Sequence, residues 1–353
     1  MPAAAPDLAP SSARIFAYDN AKFLLATLVV VGHFIGVFLF NHAPADSRFG
    51  PGLFTFIYSF HMPLFILISG LFLRPFEPAA PLPLRRIAML FILGFALKIV
   101  RTIFVFVGKG GHTSFKLLED NSTPWFLFAL GIFIFLAWAL REFNKLPVLV
   151  FALGLALAVG YDRSVGDFLY LSRIIVFFPF FWVGYCFQAK QMREFLLRPW
   201  VRAAAALVVA VFAAACALWT FEVLPLRYLF QARLPYASIP TIAGAGLLHR
   251  SLAYVIQFAM SFAVLALTPN ARIPVVTSFG ARSLQIYFWH FVVQMILVEV
   301  GFFPWLAEVT PLWIFAVPLM AVVTAFFIGL RPWGMPLEWL VRPVSGSAKK
   351  ASK

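Results

Sequence analysis

Apolar residues run through this chain in long blocks, separated by short polar or proline-bearing stretches. A membrane-crossing helix needs roughly 20 such residues, and about ten blocks approach that length. They lie at 22–41, 52–73, 86–107, 124–140, 146–160, 168–188, 201–220, 250–268, 284–303 and 311–331. The fifth is short, and Lys98 and Arg101 interrupt the third. The longest connection, Phe221–Arg250, holds Pro225, Pro235 and Pro240 and is predicted to be a structured loop or a re-entrant segment. The predicted fold is therefore all-α: a polytopic membrane bundle of about ten transmembrane helices. Residues 1–13 read as a disordered tail, 14–332 as one membrane domain and 333–353 as a cytoplasmic C-terminal tail.

Composition agrees with the pattern. The chain is 62% hydrophobic and 12% charged, against about 25% charged in soluble domains. Its net charge of +14 reads as topology rather than as affinity for nucleic acid, because Lys and Arg collect on the cytoplasmic side of membrane proteins. With the N-terminus inside, the inner segments hold Arg14, Arg74, Arg85, Arg86, Arg141, Lys145, Lys190, Arg193, Arg198, Arg202, Arg272, Arg282, Arg342, Lys349, Lys350 and Lys353. The outer segments hold Arg48, Lys109, Lys116, Arg163, Arg227 and Arg233. Both termini are thus predicted to be cytoplasmic. Ala- and Pro-rich termini fit a GC-rich bacterial gene, and hence a bacterial plasma membrane. Cys186 and Cys216 form no disulfide framework or metal spacing.

Two histidines then stand out. His33 lies eleven residues after Lys22, which is roughly 16 Å along a helix and on nearly the same face. His61 lies thirteen residues before Arg74, roughly 20 Å from the inner side on the next, antiparallel helix. The two imidazoles therefore reach similar depths. A single intramembrane histidine is often only bonded to a neighbouring helix, but polar groups inside membranes commonly face a bundle interior or a water-filled path. Imidazole is also suited to take a proton from a hydroxyl near neutral pH.

The other candidates carry plainer alternatives. Asp19 and Lys22 form either an interfacial ion pair or an anion-holding group at the inner mouth. Lys98 and Arg101 either snorkel to the outer surface or meet substrate. Arg173, inside LSRIIVFFPFFWVGY, needs an acceptor from another helix or a ligand. Trp125 is an interfacial anchor or a stacking platform for a sugar or nucleotide. His290 is placed to help line an inner cavity, and Ser69 reads as a packing residue. His112 and His249 fall in loops. The chain has no GxSxG elbow, HExxH zinc motif or Walker loop.

Five stretches in one order, YDNAKFLLATLVVVGH, FIYSFHMPLFILISGLF, PWFLFAL, SRIIVFFPFFWVGY and GARSLQIYFWH, resemble the membrane-bound acyltransferase family 3, especially its fucose 4-O-acetylase-like branch. The resemblance runs from about Arg14 to Leu330. It implies transfer of an acyl group, commonly acetyl from acetyl-CoA as co-substrate, to a hydroxyl of a carbohydrate or other acceptor, with no permanently bound cofactor and no metal. It maps the family's first-span cation and histidine onto Lys22 and His33, and its later functional residues onto His61, Arg173 and His290. Many members have Arg at the position of Lys22 and an R-x-x-R pair after the second span, where this chain has the adjacent Arg85 and Arg86.

The resulting expectation has His33 as general base and His61 as a second base, an acid or a substrate contact. Lys22, Arg85 and Arg86 would face the donor. Arg101, Trp125 and Arg173 would face the acceptor, with Asp19 and His290 in support. The rival expectation is a transporter or flippase of a lipid-linked sugar or small anion, since midplane polar groups suit that role too. Acceptor identity, acyl chain length and oligomeric state are not encoded in any motif found.

Overall fold

A computed structural model describes residues 14–41, 48–108, 123–166, 168–309 and 312–345. The N-terminal tail 1–13, Lys109, His112, Lys116, Lys349, Lys350 and Lys353 lie outside them. The described residues fold as helices without a strand. The first half of the chain forms α1 (Phe16–Asn41), α2 (Phe49–Tyr58), α3 (His61–Leu71), α4 (Leu84–Gly108), α5 (Trp125–Ala139), α6 (Lys145–Ala158), α7 (Leu171–Cys186) and α8 (Ala189–Leu196). The second half forms α9 (Pro199–Leu218), α10 (Thr220–Val223), α11 (Leu226–Gln231), α12 (Gly246–Leu267), α13 (Pro274–Gly280), α14 (Ser283–Glu299), α15 (Phe302–Val309), α16 (Trp313–Ile328) and α17 (Met335–Ser345).

Each of the ten predicted blocks overlaps at least one of these helices, but their lengths differ from ten uniform spans. Five helical stretches are long and apolar enough to cross a membrane, and up to eight when three sharply bent pairs are each counted as one crossing. The α7–α8 pair bends by 93°, α14–α15 by 65°, and α16 with the segment after it by 73°. Helices α5 and α6, of 15 and 14 residues, are shorter than a full crossing. The protein is a multi-pass membrane helix bundle.

Helix α1 is its axis. It packs against α2, α3, α13, α14 and α16. Polar ties fix it to the C-terminal third of the chain. The Asn20 side chain donates to the carbonyls of Pro269 and Ala271 at 2.9 and 3.0 Å, and the Gln294 amide donates to the His33 carbonyl at 2.8 Å. Inside a bilayer such bonds replace water that is absent.

Helices α3 and α7 approach each other closely. A Cβ on Gly70 would collide with the carbonyl oxygen of Phe181, and one on Gly184 with that of Leu67. Small residues permit this approach where helices associate by packing rather than by hydrophobic exclusion. Gly70 therefore does the packing expected of Ser69. The Ser69 hydroxyl bonds the Phe65 carbonyl at 2.8 Å and faces a cavity.

Two expectations acquire detail. The 52–73 block is broken between Tyr58 and His61. Pro63 has no N–H to offer the carbonyl of Ser59, so the helical ladder cannot run through. The connection Phe221–Arg250 is structured: α11 packs on α2 and α12, and the Arg250 guanidinium bonds the Leu229 carbonyl at 2.5 Å. Residues 335–345, predicted to lie in the C-terminal tail, form α17 and pack against α4.

Candidate active site

His33 and His61 meet at one cavity of about 190 Å³. Helix α1 brings His33 and Val29, one turn apart. The α2–α3 break brings Tyr58, His61 and Met62, and α7 brings Arg173 and Phe177. Thr123 and Trp125 close one wall, Tyr287 of α14 another, and Phe230, Gln231 and Arg233 reach in from the α11 segment. The matched depth of the two histidines, derived from helix rise, thus corresponds to a shared void.

The break in the second block orients His61. Its Nδ1 lies 2.8 Å from the Ile57 carbonyl. A carbonyl accepts only, so Nδ1 carries the proton and Nε2 keeps its electron pair. The Tyr58 ring meets this imidazole edge-on, with centroids 4.7 Å apart. His61 is 2% exposed, so its ring is fixed by the helix beneath it.

His290 does not line the cavity. It lies fully buried behind His33, with ring centroids 5.1 Å apart. Its Nδ1 faces the Ile286 carbonyl at 3.2 Å, and its Nε2 is buried without a hydrogen-bond partner. The same tautomer logic leaves that Nε2 an acceptor. Tyr287, one turn earlier on α14, lines the cavity, and its hydroxyl donates to the Thr123 carbonyl.

Trp125 lines the histidine cavity. It opens α5 immediately after Pro124 and stacks on Phe177, with centroids 5.3 Å apart and an interplanar angle of 26°. The Arg173 guanidinium carbon lies 5.2 Å from the Trp125 ring centre, within cation–π range. Arg173 and Phe177 are i, i+4 neighbours on α7, so one helical face presents both. Arg101 stands apart from this cavity: its guanidinium packs over Phe291 at 5.8 Å. Lys98 is buried, with its ammonium 5.7 Å from the Tyr170 ring centre.

A second cavity, of about 250 Å³, opens beside the first turns of α1. Lys22, Ser69, Phe72 and Arg86 line it, together with apolar residues of α4, α5 and α7. Arg85, adjacent to Arg86 on α4, does not. Asp19 holds Lys22 at 2.7 Å and Arg14 at 2.7 Å, so the ion pair forms, and Lys22 also stands at a cavity wall. Lys22 and His33 thus place one helix in two cavities, roughly 16 Å apart along its axis. No cluster of three metal-ligating side chains occurs among the described residues.

Gln231, Arg233, Tyr58 and Tyr287 line the histidine cavity without having been identified from sequence. In the sequence, Arg233 reads only as an outer charge. Tyr287 had a signal in sequence, lying three residues before His290 and hence on a neighbouring face of one helix.

The profile of the acyltransferase domain of acyltransferase family 3 matches residues 15–331. The chain is also similar to the nodulation protein NolL of Mesorhizobium japonicum, with 27% identity over 185 residues, covering 49% of this chain and 48% of that one. The chain spans about half the length of this curated relative in that match. No solved structure matches it.

Proposed function

The chain belongs to acyltransferase family 3, and from that premise we propose that it is an integral membrane O-acyltransferase. It moves an acyl group, acetyl first among them, from acyl-CoA to a hydroxyl of a carbohydrate or related acceptor. In this reading it lies in a bacterial plasma membrane with about ten crossings and both ends on the cytoplasmic side. The observation that carries the proposal is the shared cavity of His33 and His61, with His33 on the helix that also reaches a separate basic cavity through Lys22.

The donor comes from the side of Lys22 and Arg86, whose charges suit its phosphates. Its acyl-bearing arm runs along α1 toward His33. The acceptor occupies the His33 cavity, with Trp125 as a stacking platform and Arg173 as a hydrogen-bond donor. His33 takes the proton of the acceptor hydroxyl as that oxygen attacks the thioester carbonyl. A C–O bond forms, the C–S bond breaks, and the proton held on His33 passes to the departing thiolate. His61, with Nε2 unprotonated, accepts a second acceptor hydroxyl and aligns it. His290 supports the His33 ring from behind. Arg233 and Gln231 join the acceptor wall, and Arg101 is left to the outer half of α4.

The test uses purified protein in nanodiscs with labelled acetyl-CoA and a panel of sugars, beside His33→Ala and His61→Ala. Acceptor-dependent release of CoA that falls at least 100-fold in His33→Ala is expected, at the lower end of general-base contributions. Full turnover by a correctly folded His33→Ala protein would remove His33 from the reaction. A substrate that crosses the membrane chemically unchanged would favour a transporter.

A further inference from the structure

At the end of the bundle that holds Lys22, a third cavity of about 490 Å³ is lined by Arg14, Arg272, Arg282 and Arg331, with Thr277 and Ser278 between them. The arginines come from four places: the lead into α1, the approach to α13, the α13–α14 turn, and the 3-10 turn Arg331–Gly334. Among the described residues, no Asp or Glu lines this cavity. Asp19, which holds Arg14, lines a neighbouring one instead.

Topology alone asks only that Arg and Lys lie on the inner side, not that four of them converge. Convergence costs energy, because like charges around one void repel. Burial, and then the nearby Arg331 guanidinium, lower the pKa of Arg282 from the ordinary arginine value. Its Nη2 bonds the Ser278 hydroxyl at 2.8 Å, and its Nη1 is buried without a hydrogen-bond partner. Guanidinium forks match the oxygens of phosphate, and a bound anion would offset the repulsion.

We propose that this arginine-lined cavity is a binding site for a phosphate-bearing anion. Two sources carry that chemistry. One is the phosphorylated nucleotide end of the CoA donor, which rests on the acyltransferase reading above. The other is the headgroup of an anionic phospholipid in the same leaflet. The first has a route on the molecule. Arg14 also lines a cavity of about 590 Å³ with Tyr18, Phe72 and Lys190, and Phe72 in turn lines the cavity of Lys22 and Arg86. A long donor could therefore rest its nucleotide among the arginines and extend its arm along α1.

The full chain is reconstituted in phosphatidylcholine nanodiscs, and binding of adenosine 3′,5′-bisphosphate is measured by calorimetry. In parallel, native mass spectrometry reads retention of phosphatidylglycerol from mixed bilayers. Arg272→Gln and Arg331→Gln are each expected to weaken the bound species about tenfold or more, as for loss of a charged hydrogen bond. The matching lysine variants should lose less. Arginine-dependent nucleotide binding assigns the donor, and arginine-dependent lipid retention assigns the headgroup. His33→Ala should bind as wild type does, so failure of the acyl-transfer chemistry and failure of this site are separate results. Should the glutamine variants not fold, displacement of the bound species from wild type by inorganic pyrophosphate decides. The site is overturned if folded wild type binds neither species, if pyrophosphate does not compete, or if folded variants bind unchanged.

Discussion

Gly184→Ala should damage both stability and turnover, although the methyl it adds touches no residue of the histidine cavity. The new Cβ would collide with the backbone oxygen of Leu67 on α3, and a backbone atom cannot rotate away. Overpacking of this kind costs about 1–3 kcal/mol. Replacing Gly by Ala inside a helix returns about 1 kcal/mol, so the net loss is on the order of 0–2 kcal/mol by these two values. Gly154→Ala on α6 isolates the second effect, because a Cβ there meets nothing within 4 Å. Gly154→Ala should therefore hold or raise the melting temperature in detergent, and Gly184→Ala should lower it. The larger consequence is for the reaction. Helix α3 carries His61 and α7 carries Arg173. Forcing those helices apart by about 1 Å can cost roughly 100-fold in rate. Melting shifts of the same sign in the two variants, or unchanged kcat in Gly184→Ala, would refute the reasoning.

Other outcomes follow from the same geometry. Pro63→Ala permits the α2–α3 ladder to close, so it should keep or raise thermal stability while lowering kcat, as His61 leaves its present orientation. Asp19→Asn removes a carboxylate shared at 2.7 Å by Arg14 and Lys22. It should cost about 1–3 kcal/mol and change the KM for acetyl-CoA more than that for the acceptor. Arg173→Gln should raise the acceptor KM about tenfold or more, whereas Arg101→Gln, standing outside the cavity, should change it less than twofold by the same reasoning. Steady-state kinetics on nanodisc protein reads the kcat and KM changes of all four variants, and thermal melting reads the stability changes.

Helical periodicity and rise made the depths of His33 and His61 legible, because both are local properties of one chain segment. The positive-inside pattern likewise indicated that Lys22 and Arg86 share an end of the bundle. What sequence did not reveal depends on segments distant along the chain. Arg233 reaches the cavity from a segment whose prolines marked it as a structured loop or a re-entrant segment without indicating what it packs against. Tyr287 and His290 come within reach of His33 because α14 packs on α1, a contact between residues more than 250 positions apart. The separation of Arg101 from the cavity also depends on rotation of α4, which its apolar pattern leaves undetermined on most faces. Ser69 and Gly70 are adjacent small residues, and only the partner helix distinguishes packing from lining.

The central place of α1 bears on how the protein is made. This helix precedes every other described helix in the chain, yet the groups that satisfy its polar side chains and carbonyls come near the chain's other end: Pro269 and Ala271 for Asn20, Gln294 for the His33 backbone. During synthesis α1 must wait in the membrane with Asn20, Asp19, Lys22 and His33 still lacking their final surroundings, a costly arrangement in lipid. Loop-closure entropy is largest for such distant partners. Although α1 precedes α14 in the chain, it is therefore among the last of the described helices to be completed. A ribosome stalled before α14 would release a membrane-bound bundle in which the histidine cavity has only part of its wall.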